Sequence, residues 1–350
     1  MAQPAESRTS PAPDEALALR RVTEELGRRL VGQSAMVERL IIGLLTGGHI
    51  LLEGVPGLAK TLAVRTLAEI LHATFSRIQF TPDLLPADVI GTMVFDPKTQ
   101  EFHPKQGPLF AHIVLADEIN RAPAKVQSAL LEVMQEHQVT IGRESHKVPE
   151  PFLVLATQNP IETEGTYALP EAQVDRFMLK VLVDYPSDRE EMVIVQRMTG
   201  QLAETRQILT TGQLLVLQQE ADNVYVDPEL MEYAVRLVGA TRRPVEYGLN
   251  DVARYVSFGA SPRASINLIL AARALALTRG RDYVVPHDIV ELAPDVLRHR
   301  VVLSYEALAD RVSADDLIGH VLESVPRPTR PFTDDPRLSH AGASGNGETA

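Results

Sequence analysis

The sequence predicts an α/β fold with a mostly parallel sheet, followed by a smaller all-helical domain. Five short apolar runs, at 49–52, 75–80, 113–116, 152–157 and 178–183, are separated by helical patterns, as buried parallel strands require. A glycine-bearing loop at 54–61 joins the first run directly to a helical pattern. Beyond residue 185 the strand-like runs fade and helical periodicity takes over.

The elements follow in order. Residues 1–16 are rich in Pro, Ala and Ser and read as a flexible leader without the apolar stretch of a secretory signal. Residues 17–30 alternate apolar and charged positions at helical spacing, and Ser34 can cap a second helix with Val37, Leu40, Ile41 and Leu44 on its apolar face. Gly47 and Gly48 stop that helix, and 61–71 resumes helical periodicity after the loop. Helices are expected at 190–198, 213–222, 229–241, 264–278 and 286–298. The end of the chain, 325–350, is crowded with Pro, Gly, Ser and charge and reads as a disordered tail.

Composition narrows the function classes. There is no cysteine, so disulfides and thiolate metal sites are excluded. The most apolar stretch, 40–52, is interrupted by Thr46, Gly47, Gly48 and His49 and is too short to cross a bilayer, so a soluble, cytoplasmic protein without membrane insertion is expected. A net charge of -12 opposes nonspecific attraction to nucleic acid. The histidines show no H-x-x-x-H pair beside a glutamate, which leaves a zinc hydrolase without support.

The loop Gly54-Val55-Pro56-Gly57-Leu58-Ala59-Lys60-Thr61 fits G-x-x-x-x-G-K-[ST] except at Ala59, where the pattern has its second glycine. Such a loop aims backbone N–H groups at phosphate oxygens, Lys60 brings charge to the outer phosphates, and the Thr61 hydroxyl suits magnesium. Leu62 completes the expected nucleotide-binding set. Because alanine has a Cβ, Ala59 is expected in a backbone conformation acceptable to an L-residue. The run 113–116 ends in Asp117-Glu118, which puts two carboxylates at the carboxyl edge of the sheet, where open α/β folds bind ligands. Asp117 then suits the metal, and Glu118 suits a general base that polarises water. A glutamate beside the metal aspartate favours hydrolysis over kinase-like transfer to an acceptor.

Several linked segments together resemble the MoxR branch of AAA+ ATPases: the phosphate loop, Asp117 through Ala122, Asn159 through Tyr167, Leu169 through Phe177, Gly259 through Arg263, and Gly280 through Val284. The likeness runs in order over about residues 26–304. It implies a core at 17–185 with strand order 5-1-4-3-2, a helical linker and lid at 186–324, and hydrolysis of ATP to ADP and phosphate with Mg2+. It also implies Asn159 as the sensor on attacking water or terminal phosphate, Arg176 as a finger reaching a neighbouring subunit's nucleotide, and Arg263 as the lid sensor, acting in cis or in trans. Read alone, Asn159 caps a turn, Arg176 pairs with Asp175 or Glu171 at the surface, and Arg263 is a helix-start arginine facing water.

By the same resemblance the protein is a homo-oligomer, a hexameric ring with chaperone-like action on a client protein, assisted by a von Willebrand A-domain partner. No D-x-S-x-S run is present, so that domain is expected on a partner chain. The segments 83–109 and 138–149 resemble insertions that such proteins project toward the ring axis or a partner; a passive loop and hairpin read equally well. Two alternatives stay open: a nucleic-acid-dependent AAA+ motor, and a nucleotide-binding scaffold that does not hydrolyse.

Overall fold

The computed structural model describes residues 13–160, 165–200 and 204–328. Most of the expected leader (1–16) and tail (325–350), and residues 161–164 of the Asn159 segment, lie outside the described residues. A five-stranded parallel sheet organises the first half: β1 (Ile50–Glu53), β2 (Phe75–Gln79), β3 (Ile113–Asp117), β4 (Leu153–Gln158) and β5 (Leu179–Leu182). Their order across the sheet is β5-β1-β4-β3-β2, the order implied by the resemblance. The registers pair Glu53 with Gln158, Ala116 with Ala156, and Gln79 with Asp117, so the strand ends line up along one edge.

Side-chain alternation splits the sheet into two buried faces. Ile50, Leu52, Leu115 and Leu155 face α1 (Pro13–Arg29), α2 (Ser34–Thr46) and α3 (Lys60–Ile70), whose core includes Leu26, Leu40, Val64 and Leu67. Leu51, Val114, Ala116, Val154 and Ala156 face the opposite way, onto Val126, Leu130 and Met134 of α4 (Ala124–Glu136). Burial on both faces is the physical reason β1, β3 and β4 read as unbroken apolar runs; β2, at the edge, leaves Arg77 and Gln79 exposed.

The helical part comprises α5 (Asp188–Met198), α6 (Thr211–Asn223), α7 (Pro228–Arg242), α8 (Pro262–Thr278), α9 (Pro286–Leu297) and α10 (Ala314–Ser324). Ser187, Thr210, Asp227, Ser261 and Ser313 each accept a backbone N–H at a helix start. The core of α8, with Leu268, Ala271, Ala272 and Leu275 fully buried, packs on α9, α7, α2 and α6. The small alanines let these helices approach closely.

Three local expectations need correction. The second region is not purely helical: Val256–Phe258 and Val302–Leu303 pair as a short antiparallel ribbon, too brief to show a period-two pattern. Ser34 is the first residue of α2 rather than its cap; Gln33 holds that position without a side-chain bond. Helix α1 begins at Pro13, inside the expected leader. The segment 83–109 folds as a short helix, Pro86–Ile90, and a hairpin, Gly91–Asp96 with Glu101–Gln106. A second hairpin, Gln138–Ile141 with Glu144–Lys147, forms within 138–149 as its pattern suggests.

Candidate nucleotide site

The loop after β1 crosses the edge where β4 and β3 also end. Gly54 approaches β5 so closely that a Cβ there would meet the Val183 carbonyl oxygen at 2.5 Å. Gly57 turns with φ of 89°, a left-handed value that glycine adopts without cost. Ala59 is also left-handed, with φ of 56°, at the cap of α3. Alanine therefore occupies a glycine conformation, contrary to the expectation of an ordinary L-residue backbone. The Lys60 ammonium turns back to donate to the Gly54 carbonyl, closing the loop. Burial draws its pKa below the usual lysine value, opposed by the charges of Asp117, Glu118 and Glu53.

A cavity of about 410 Å³ opens at this edge, lined by Pro56 through Leu62 together with Arg77, Asp117, Glu118, Thr157 and Asn159. The loop, both acids and Asn159, separated by a hundred residues of sequence, thus meet in one place. Gly54 and Val55, directly after β1, are not among the lining residues. A larger cavity of about 610 Å³ lies elsewhere, beside α1, α2 and α9. Its Arg39 and Arg279 are already paired with Asp295 and Glu291 at 2.7 and 2.8 Å, so size does not identify the phosphate site.

One hydroxyl fixes both acids. Thr157, at the end of β4 and 1% exposed, donates to Asp117 Oδ1 at 2.6 Å and accepts the Glu118 N–H at 2.8 Å. Glu118 is left-handed, with φ of 57°, a strained backbone that turns its side chain off the strand line. Its Oε2 accepts from Gln79 Nε2 and Arg121 Nη1, each at 2.9 Å. Arg77 pairs with Asp117 Oδ2 at 2.7 Å.

Sequence reasoning missed Thr157, Arg77 and Gln79. The available signal was a polar residue closing the apolar run 152–157, and the Arg77/Gln79 pair two apart on one strand face. An apolar cleft of about 210 Å³ was also missed. It shares Gly57, Leu58, Ala59 and Leu62 with the cavity and adds Leu30, Val31, Ile194 and Met198.

Arg176 and Arg263 do not line the cavity. Arg176 donates to the Leu131 carbonyl oxygen of α4 at 2.6 Å. Arg263 lies 3.6 Å from Asp175, with its side chain 48% exposed. Asp175 is not the surface partner of Arg176. It accepts from the buried Arg300 at 2.7 Å and from Ser261, both in the helical domain.

The donor set fits magnesium. Thr61 and Asp117 offer oxygens only, which a hard cation prefers, and no cluster of three or more His, Cys, Asp or Glu among the described residues could hold a metal. Magnesium is commonly bound this way, by one or two protein oxygens plus substrate phosphates.

A parallel sheet in this order, a phosphate loop at its edge facing two acids, and a helical domain behind define an AAA+ P-loop ATPase. The family profile "ATPase family associated with various cellular activities (AAA)" matches residues 49–179, and the "AAA lid domain" profile matches 249–321. The chain is 58% identical to Chaperone MoxR1 of Mycobacterium tuberculosis, over 89% of this chain and 82% of that one. It is 32% identical to Protein MoxR of Methylorubrum extorquens, over 88% and 94%. A crystal structure of a proposed ATPase from Cytophaga hutchinsonii superposes with a TM-score of 0.85 at 49% identity, covering 91% of this chain and 98% of that one. The chain belongs to the MoxR family of AAA+ ATPases. No helix among the described residues is long and apolar enough to cross a membrane.

Proposed function

We propose that the chain binds MgATP in the 410 Å³ cavity and hydrolyses it to ADP and phosphate, using the energy to remodel or activate a client protein. The observation that carries this reading is the convergence of Lys60, Thr61, Asp117, Glu118 and Asn159 on one lining. Lys60 and the loop N–H groups hold the outer phosphates. Thr61 and Asp117 hold magnesium, which when bound neutralises phosphate charge. Glu118 takes the proton of the attacking water, and Asn159 orients that water or the terminal phosphate. The apolar cleft beside Gly57 suits the adenine ring, because it continues from the phosphate cavity and is walled by Leu30, Val31, Ile194 and Met198.

Arg176 lies outside its own cavity lining, which supports a role across a subunit boundary in a homo-oligomer, a hexamer by family resemblance. There its fixed positive charge would stabilise the transition state in the neighbouring site. Arg263 is assigned to lid sensing. A von Willebrand A-domain partner and a cytoplasmic setting complete the reading, both resting on resemblance.

The test mixes wild type with Arg176→Ala and follows phosphate release from MgATP. Shared sites give a nonlinear dependence on composition. Strict additivity would remove the shared site, and absence of any release by wild type would remove the hydrolytic reading.

A further inference from the structure

Two cationic side chains line the cavity, Lys60 and Arg77, and Arg77 belongs to no part of the phosphate-loop pattern. It stands on β2, an edge strand, two residues before Gln79 and on the same strand face. Its Nε and Nη2 converge on a single oxygen, Asp117 Oδ2, at 3.0 and 2.7 Å. The other oxygen of Asp117 is held by Thr157. Nη2 also donates to Gln79 Oε1 at 2.9 Å, and Gln79 Nε2 donates to Glu118 Oε2 at 2.9 Å. A continuous chain therefore runs Asp117, Arg77, Gln79, Glu118.

We propose that Arg77 is a displaceable counter-ion that competes with magnesium for Asp117. The inference rests on the MgATP reading above. Both donors of one guanidinium occupy the oxygen that a cation needs, and a fixed positive charge beside a divalent ion in one small cavity is repelled. Of the two partners, Arg77 is the one free to leave: its side chain is 49% exposed, against 14% for Asp117. A long side chain on an edge strand moves into water without stranding a buried charge.

The test titrates magnesium against wild type, Arg77→Gln and Arg77→Lys, reading binding of a fluorescent non-hydrolysable ATP analogue rather than turnover. Arg77→Gln should reach half-maximal binding at about five-fold less magnesium, the scale of releasing a partly exposed ion pair. Arg77→Lys, which keeps charge but loses the converging donors, should shift less in the same direction, and it carries the test if Arg77→Gln misfolds. In chelator, without metal, Arg77→Gln should bind the analogue no more tightly than wild type. An unshifted or raised magnesium midpoint, or an equal gain in chelator, overturns the role of Arg77. Absence of magnesium-dependent binding in wild type instead overturns the MgATP reading.

Discussion

Replacing Asp175 by alanine should cost about 2–3 kcal/mol of stability, more than any surface pair would. The size follows from what Asp175 faces. Arg300 enters the core from the helical domain with its side chain 1% exposed, and its Nε lies 2.7 Å from Asp175 Oδ1. Its remaining donors reach the carbonyl oxygens of Phe177 at 2.6 Å and of Met178 and Asp175 at 3.1 Å, and also that of Val296. Burial pushes the Arg300 pKa down, and the Asp175 carboxylate is the charge that opposes it. Removing one side of a buried pair typically costs about 3–5 kcal/mol, because the other charge stays buried and alone. Four retained carbonyl contacts and the partial exposure of Asp175 bring this case to the lower end of that range or somewhat below it. Adding Arg300→Met removes the orphan charge and should restore most of the loss. Urea midpoints followed by far-UV circular dichroism measure this; the chain has no tryptophan to report by fluorescence. A loss below about 1 kcal/mol, or no recovery in the double variant, would refute the reasoning.

Two further outcomes follow from local geometry and titration. Ala59→Gly should stabilise by about 0.5–1 kcal/mol: relief of a left-handed alanine, worth about 1–2 kcal/mol, is partly offset by the added freedom of the unfolded chain; a urea midpoint that falls would show the loop unstrained. Acidification should also destabilise the protein. His49 is fully buried, donating through Nε2 to Met134 and accepting at Nδ1 from Val154, and desolvation lowers its pKa from 6.5 to about 4. The unfolded imidazole gains its proton below pH 6.5 while the native one waits until about 4, so the unfolded state binds more protons across that window. Stability present above pH 6.5 is then lost toward pH 4 at up to about 1.4 kcal/mol per pH unit. His299, lowered by burial beside Arg300, adds in the same sense. Melting temperatures that stay level from neutral pH to 4.5, about half a unit above the lower end of that window, would contradict this.

Much of the core was legible because its strands are buried on both faces and its loop carries a pattern with a chemical reason behind each residue. Order across the sheet was not: five apolar runs fix no neighbours, and only resemblance supplied 5-1-4-3-2. Thr157 was hidden because a hydroxyl at the end of an apolar run reads as a strand terminus, and its service to two acids depends on β3 and β4 being neighbours. Arg77 and Gln79 sit in the run 75–80 that was expected to be buried, and only the sheet order shows that run to be an edge strand with both side chains exposed. The Asp175–Arg300 contact joins residues 125 positions apart, beyond any local pattern. Ala59 shows the opposite failure: the motif position was visible, but side-chain identity argued for the wrong backbone.

Glu118 is proposed to act as the base in this cavity. Single-turnover hydrolysis and ATP binding by Glu118→Gln test it together. Retained ATP binding with hydrolysis slowed by about 10²–10⁴-fold is the predicted result; hydrolysis near the wild-type rate would contradict it.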